Sequence, residues 1–219
     1  MDCCGIPNGL DKMFDARSAR GEASAYLKKG LDQPTRKVVE ALQARGVAGA
    51  SVLEIGGGAG GLHLELLKAG ARRAVDLDLS PAYLEVARQN AETLGYQDMV
   101  EHRLHDIAAQ PESVAEADVV VMNRVICCYP HMERLVRPAA ERARRLLALT
   151  FPRDAWWMRL GERLMNGWFW MTRSDFRMYL HPPQAVLALV AAAGLSLVHQ
   201  SFQGPWQIAV FQRGNGQRV

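Results

Sequence analysis

The feature that most limits the possible folds is an alternation of two sequence patterns. Short β-type runs occur at Ser51 to Ile55, Ala74 to Leu79, Val100 to Leu104, Asp118 to Met122 and Leu146 to Phe151. Helical patterns fill the gaps between them at Leu62 to Lys68, Pro81 to Leu94 and Met132 to Arg144. Strands that alternate with helices form a parallel sheet covered by helices on both faces. After residue 182 the order changes. A helix from Gln184 to Ala193, stopped by Gly194, leads to Leu195 to Phe202, and the turn Gln203-Gly204-Pro205 then leads to Trp206 to Gln212, which predicts a hairpin. The expected architecture is α/β, a seven-stranded, mostly parallel sheet with a C-terminal antiparallel hairpin. The first fifty residues read as helical, with Pro34 in the first turn of a helix through Arg45. Apolar content of 49% over 219 residues suits one core. The chain is therefore expected to be a single domain, 1–219, with a helical cap at 1–48 and an insertion at 152–181.

Composition excludes some partners. The net charge is +3 and the basic residues are scattered arginines without a dense cluster, so nucleic acid is not an expected partner. MDCCGIPNGLDK has no apolar core of signal-peptide length, and no stretch reaches the roughly 18 to 20 apolar residues of a membrane span. A cytoplasmic location is expected. The four cysteines are too few for a disulfide scaffold, and they fall in two adjacent pairs, Cys3-Cys4 and Cys127-Cys128.

The first strand runs straight into glycines: SVLEIGGGAGG, with five glycines in six positions after Ile55. Glycine lets a backbone turn sharply and approach a ligand closely. The letters also fit the dinucleotide pattern G-x-G-x-x-G at Gly56, Gly58 and Gly61. Glu54 separates the two readings. Its carboxylate would repel a pyrophosphate but attract a ligand carrying an ammonium and a sulfonium, as S-adenosylmethionine does. Asp78, about 20 residues past the glycines at the end of the second strand, is placed to accept both ribose hydroxyls. Asp76 lies deeper on the same strand face. Asp106, after the third strand, is placed for an adenine amino group, with Ile107 against the ring.

Taken together, residues from about 35 to 213 resemble a class I S-adenosylmethionine-dependent methyltransferase. VLEIGGGAGG is similar to that family's first motif, AVDLDLSPAYLEVARQNA to its second strand and following helix, LHDIA to its third motif, and ADVVVMNRVICCYP to its fourth strand and loop. The resemblance implies a Rossmann-like sheet and S-adenosyl-L-methionine as cofactor, with S-adenosyl-L-homocysteine as product. It implies cofactor contacts at Glu54, Gly56, Gly58, Gly60, Asp78 and Asp106, to which Leu79, Ile107 and Asn123 are added. KGLDQPTRKVVEAL, NRVICCYP and LLALTFPRDAWW also resemble the magnesium-protoporphyrin O-methyltransferases. Cys128 stands where that family carries a histidine expected to assist chemistry, so its substrate does not carry over.

On the acceptor side, the reaction expected is in-line displacement on a small molecule, in which catalysis consists largely of alignment and exclusion of water. Cys128, Tyr129 and His131 are the candidate catalytic residues, with His181 as a further base. His63, His102 and His105 are read as structural. Within the insertion, Trp157, Leu160, Leu164 and Trp168 recur at helical spacing with Arg159, Glu162, Arg163 and Asn166 opposite. That stripe is read as lining an acceptor pocket, resting on a membrane surface or packing on the sheet, which makes Trp157, Trp168 and His181 substrate or lid candidates. Cys3, Cys4, Cys127 and Cys128 are candidates for a thiophilic metal or metalloid, as acceptor or as clip. Two readings of another class stand beside these: a non-catalytic cofactor-binding or metal-sensing protein, and a nicotinamide-dependent oxidoreductase, which Glu54 disfavours.

Overall fold

The computed structural model describes residues 9–214. Seven strands, β1 (Ser51–Ile55), β2 (Arg73–Asp78), β3 (Val100–Leu104), β4 (Ala117–Asn123), β5 (Ala143–Pro152), β6 (Leu195–Gln203) and β7 (Trp206–Arg213), form one sheet in the order β3-β2-β1-β4-β5-β7-β6. The first five run parallel, while β7 lies antiparallel to both β5 and β6. From β1 the chain winds outward through β2 and β3, then returns to place β4 on the other side. Such a reversal of winding opens a crevice at the carboxyl ends of the two central strands.

Eight helices are described: α1 (Leu10–Met13), α2 (Ala16–Lys29), α3 (Gln33–Gln43), α4 (Gly61–Lys68), α5 (Pro81–Thr93), α6 (Glu133–Arg142), α7 (Trp156–Met171) and α8 (Pro183–Ala192). Strand side chains alternate between two cores, as a period of two demands. Val52, Val119, Val121, Leu146 and Val210 pack with Leu42 of α3 and Leu64 of α4, while Leu53, Val120, Met122, Leu147 and Phe211 pack with Val136 of α6 and Val190 of α8. All five residues of β1 are buried, as expected of a central parallel strand. The helix starts follow local chemistry. Asp15 accepts from the Arg17 and Ser18 amides, Asp32 from Thr35 N, and Ser80 from Tyr83 N, with Pro34 and Pro81 in the first turns.

Two points of the sequence reading change. Helix α6 stops at Arg142, because Ala143 already pairs with Ala117. The Arg213 guanidinium donates to the carbonyls of Ala140, Ala143 and Ala193, supplying partners where α6 and α8 run out. The larger correction concerns α7. None of its 16 residues is buried, so the stripe does not pack on the sheet. The half-buried residues of α7 are Met158, Glu162, Asn166 and Phe169, and Asn166 holds the chain in place by bonding both the amide and the carbonyl of Met178. The inward side thus mixes Met158 and Phe169 with Glu162 and Asn166, and the leucine-tryptophan stripe is turned outward. No helix of the described residues is long and apolar enough to cross a membrane.

Candidate functional site

The crevice opens into a cavity of about 1720 Å3. A single-ligand pocket is roughly 300–1,000 Å3, so this one has room for a cofactor and an acceptor side by side. Its floor is the loop from Gly56 to Gly61, of which all but Gly60 line the cavity; Gly60, expected to contact cofactor, caps α4 instead. Gly56, Gly58 and Gly60 all have positive φ, at 70°, 58° and 84°, a region that costs a side chain strain but not glycine. Gly57 has a different reason to be glycine: a Cβ there would lie 2.1 Å from Asp76 Oδ1. Helix α2 leans over the loop, and Glu22 accepts from Ala59 N at 3.3 Å.

Glu54 lines the cavity, yet one of its oxygens is already engaged. Oε2 accepts from His63 N at 3.1 Å and lies 2.8 Å from His63 Nδ1. His63 is the third residue of α4, whose N-cap, Gly60, offers no side chain. Glu54 therefore caps α4 from the neighbouring strand. Burial raises the Glu54 pKa against the opposing pull of His63; burial lowers that of His63, but Glu54 and Asp76 together raise it on balance. The two form one buried ion-pairing unit under the glycine loop.

At the end of β2, Asp78 accepts from Gly58 N at 3.1 Å and from Ser80 N at 2.8 Å. Burial, reinforced by the negative charge of Asp76, pushes its pKa up to about 6, although the amides of Ser80, Gly58 and Leu79 pull it down. Asp76 is fully buried beneath Gly57 and lies 3.0 Å from His102 Nδ1. Two carboxylates thus form imidazole pairs that the sequence left unmatched, Glu54 with His63 and Asp76 with His102.

Asp106 takes the Ala108 amide at 2.8 Å and the Tyr129 hydroxyl at 3.2 Å. Burial and the Asp106 charge raise the Tyr129 pKa to about 12, and its hydroxyl donates to Asp106. Leu79, Ile107 and Asn123 also line the cavity. Asn123 donates to Thr35 Oγ1 at 3.1 Å and leaves its buried Oδ1 without a partner. Arg124, with φ of 63°, pairs with Asp32 at 2.8 Å and donates to Thr35 Oγ1 at 2.7 Å, fastening α3 to the end of β4. Sequence reasoning passed over Arg124, Thr35 and Asp32. The groups that Thr35 meets lie 88 residues or more further along the chain.

The remaining candidates spread out. Cys128 lines the cavity, whereas Cys127 is buried; both thiols point at the Arg124 carbonyl, at 3.5 and 4.0 Å for Cys127 and Cys128. The hydrogen bond between the thiols lowers Cys127 and raises Cys128. Cys3 and Cys4 lie outside the described residues. Among the described residues no group of three or more His, Cys, Asp or Glu is placed to share a metal ion. His131 is exposed, 3.7 Å from Glu133 and off the cavity wall. His181 binds the Tyr129 carbonyl at 2.8 Å from behind the wall. Trp157 and Trp168 are also off the wall; from the 152–181 insertion it is Asp175 that reaches the cavity, beside Gly9 and Phe14.

Residues 52–148 match the family described as a methyltransferase domain. Ribosomal protein L11 methyltransferase of Aeromonas hydrophila is 35% identical over 117 residues, which is 53% of this chain and 37% of that protein. The chain thus spans well under half the length of this relative. Among solved structures, magnesium protoporphyrin IX methyltransferase from Synechocystis PCC 6803 with bound SAH superposes with a TM-score of 0.69 at 23% identity, covering 83% of this chain and 82% of that one. An O-methyltransferase family protein from Burkholderia thailandensis gives 0.72 at 22% identity, over 94% of this chain and 63% of that one. These likenesses establish the fold shared with S-adenosylmethionine-dependent methyltransferases.

Proposed function

We propose that this chain, a methyltransferase domain with the S-adenosylmethionine-dependent fold, transfers a methyl group to a small-molecule acceptor by in-line displacement. The observation that carries the reading is that Glu54, Asp78 and Asp106 line one cavity together with the glycine loop. The donor set suits a cationic nucleoside: acids for an ammonium, for ribose hydroxyls and for an adenine amine, while the cations that line the cavity, Lys29, Arg36 and Arg124, belong to none of the glycine-loop positions where a pyrophosphate would sit. The unpartnered Asn123 Oδ1 adds an acceptor that a ligand donor would satisfy. S-adenosylmethionine, when bound, supplies a methyl group activated by its positive sulfur. The residues of the chain contribute binding and alignment. Glu54, fixed by His63, faces the ammonium end, Asp78 takes the ribose, and Tyr129 and Cys128 form the wall nearest the acceptor space.

Cys128 on that wall supports a second reading, a soft acceptor such as a thiol or a thiophilic metalloid. Titration calorimetry with S-adenosylhomocysteine and with NADH tests the main one. S-adenosylhomocysteine should bind and NADH should not, and Asp78→Ala should weaken the former by about 1 to 3 kcal/mol. Turnover is then read as S-adenosylhomocysteine released over a panel of oxygen, nitrogen and thiol acceptors. Preference for NADH, or an Asp78→Ala variant of undiminished affinity, rules the reading out.

A further inference from the structure

We propose that α7 docks this protein on an anionic membrane surface, a function beyond methyl transfer. The helix is built inside out for a globular protein. At about 100° per residue, Leu160, Leu164, Trp157, Trp168 and Met171 share an arc of about 80°, and all five are exposed. Trp168 is 60% exposed and Leu164 67%. The half-buried Met158, Glu162, Asn166 and Phe169 occupy the other side. A stripe of leucine and tryptophan left facing water on a helix that already has an inward face marks an interaction surface.

Charge and area decide what covers it. Arg163 and Arg159 are exposed on one side of the stripe, about 60° and 100° from its edge, and Arg173 follows just beyond the helix end. Asp154 pairs with Arg159 at the start of the helix. The sole carboxylate within α7, Glu162, is turned toward the body and accepts from Asn166. An exposed face of leucine, tryptophan and arginine is complementary to the acyl boundary and phosphates of an anionic bilayer. A second copy of the chain fits less well. Sixteen residues make a rod about 24 Å long and about 10 Å wide, so one face offers on the order of 240 Å2, against about 800 Å2 per partner in a stable protein interface. The docked helix would also adjoin the cavity. Phe169 meets Phe176 edge-on at 5.3 Å, and Phe176 meets Phe14, a cavity-wall residue, at 6.2 Å.

Co-sedimentation of the full chain with phosphatidylcholine vesicles, with and without phosphatidylglycerol, tests this directly. Binding is expected to vesicles containing phosphatidylglycerol, to weaken with salt, and to fall by about ten-fold or more in the double variant Leu160→Glu, Leu164→Glu. The melting temperature of that variant should match the wild type, since both side chains face solvent; should it not fold, Trp168→Ser serves instead. A mutation-free readout also exists, because four of the five tryptophans lie on α7. Their emission should shift to the blue with anionic vesicles. No sedimentation with anionic vesicles overturns the proposal. Undiminished binding of the variants also overturns it, as does a lipid-free dimer that the same substitutions dissolve.

Discussion

Asp78 should make cofactor affinity pH-dependent in a range where few carboxylates titrate. Its pKa stands at about 6 against an ordinary 3.8, because burial and the Asp76 charge outweigh the amides it accepts from. Ribose hydroxyls donate, so they prefer the ionised carboxylate. At pH 5 roughly one molecule in eleven carries Asp78 ionised, and at pH 7 roughly ten in eleven. Apparent affinity scales with the competent fraction, so the Kd for S-adenosylhomocysteine should tighten about ten-fold between pH 5 and pH 7. Stability of the ligand-free protein should move the other way. Asp78 holds its proton more tightly folded than unfolded, so stability falls as pH rises from about 4 to about 6, by up to about 3 kcal/mol. Calorimetry across that range on the wild type and on Asp78→Asn, which cannot ionise, isolates the group. A wild-type Kd that stays flat, or an equal slope in Asp78→Asn, would refute the assignment of Asp78 to the ribose.

Gly57→Ala should cost about 1 to 3 kcal/mol, because the new Cβ displaces a buried carboxylate held by His102. A thermal melt should show it as a fall of several degrees, about 2 to 4 °C per kcal/mol for a chain of this size, and an unchanged melting temperature would contradict the close packing. Arg124→Ala should change stability by less than about 1 kcal/mol, since its ion pair with Asp32 is partly exposed. It should nonetheless weaken S-adenosylhomocysteine binding in calorimetry, because Asp32 on the cavity wall loses its ion-pair partner and Asn123 is left as the side-chain tie between Thr35 and β4.

What was legible in the sequence was local. The order of strands and helices, the terminal hairpin and the glycine loop each rest on periodicity or turn chemistry within a few residues, and the sheet reproduces them. The three acids on the cavity wall were legible because their spacing follows strand ends. What was not legible depends on distant pairs. Nothing near Glu54 announces that His63 takes one of its oxygens, and nothing near Asp76 announces His102. The amphipathicity of α7 was plain, but its polarity of facing was not. A hydrophobic stripe predicts that something covers it without saying whether that is the sheet, and here the inward contacts are made from the other side of the helix, Asn166 to Met178 and Phe169 to Phe176. His131, beside the loop after β4, and His181, ahead of α8, both read as candidate bases; geometry sends the first into solvent and the second behind Tyr129.

The position of β7 has a consequence for how the chain must be made. Strand β5 is buried along Leu146 to Phe151, and its outer edge is covered by residues 206 to 212, some sixty positions later. A ribosome that has reached residue 200 has therefore released an apolar strand with one row of amides and carbonyls unpaired. Such an edge is a template for any other extended chain. Closing it requires a long loop, including all of α7 and α8, to be drawn in first, an entropic delay that local helices do not suffer. Premature termination before Trp206 would leave that edge permanently open, so truncated products should be cleared or aggregate rather than persist as partly active domains.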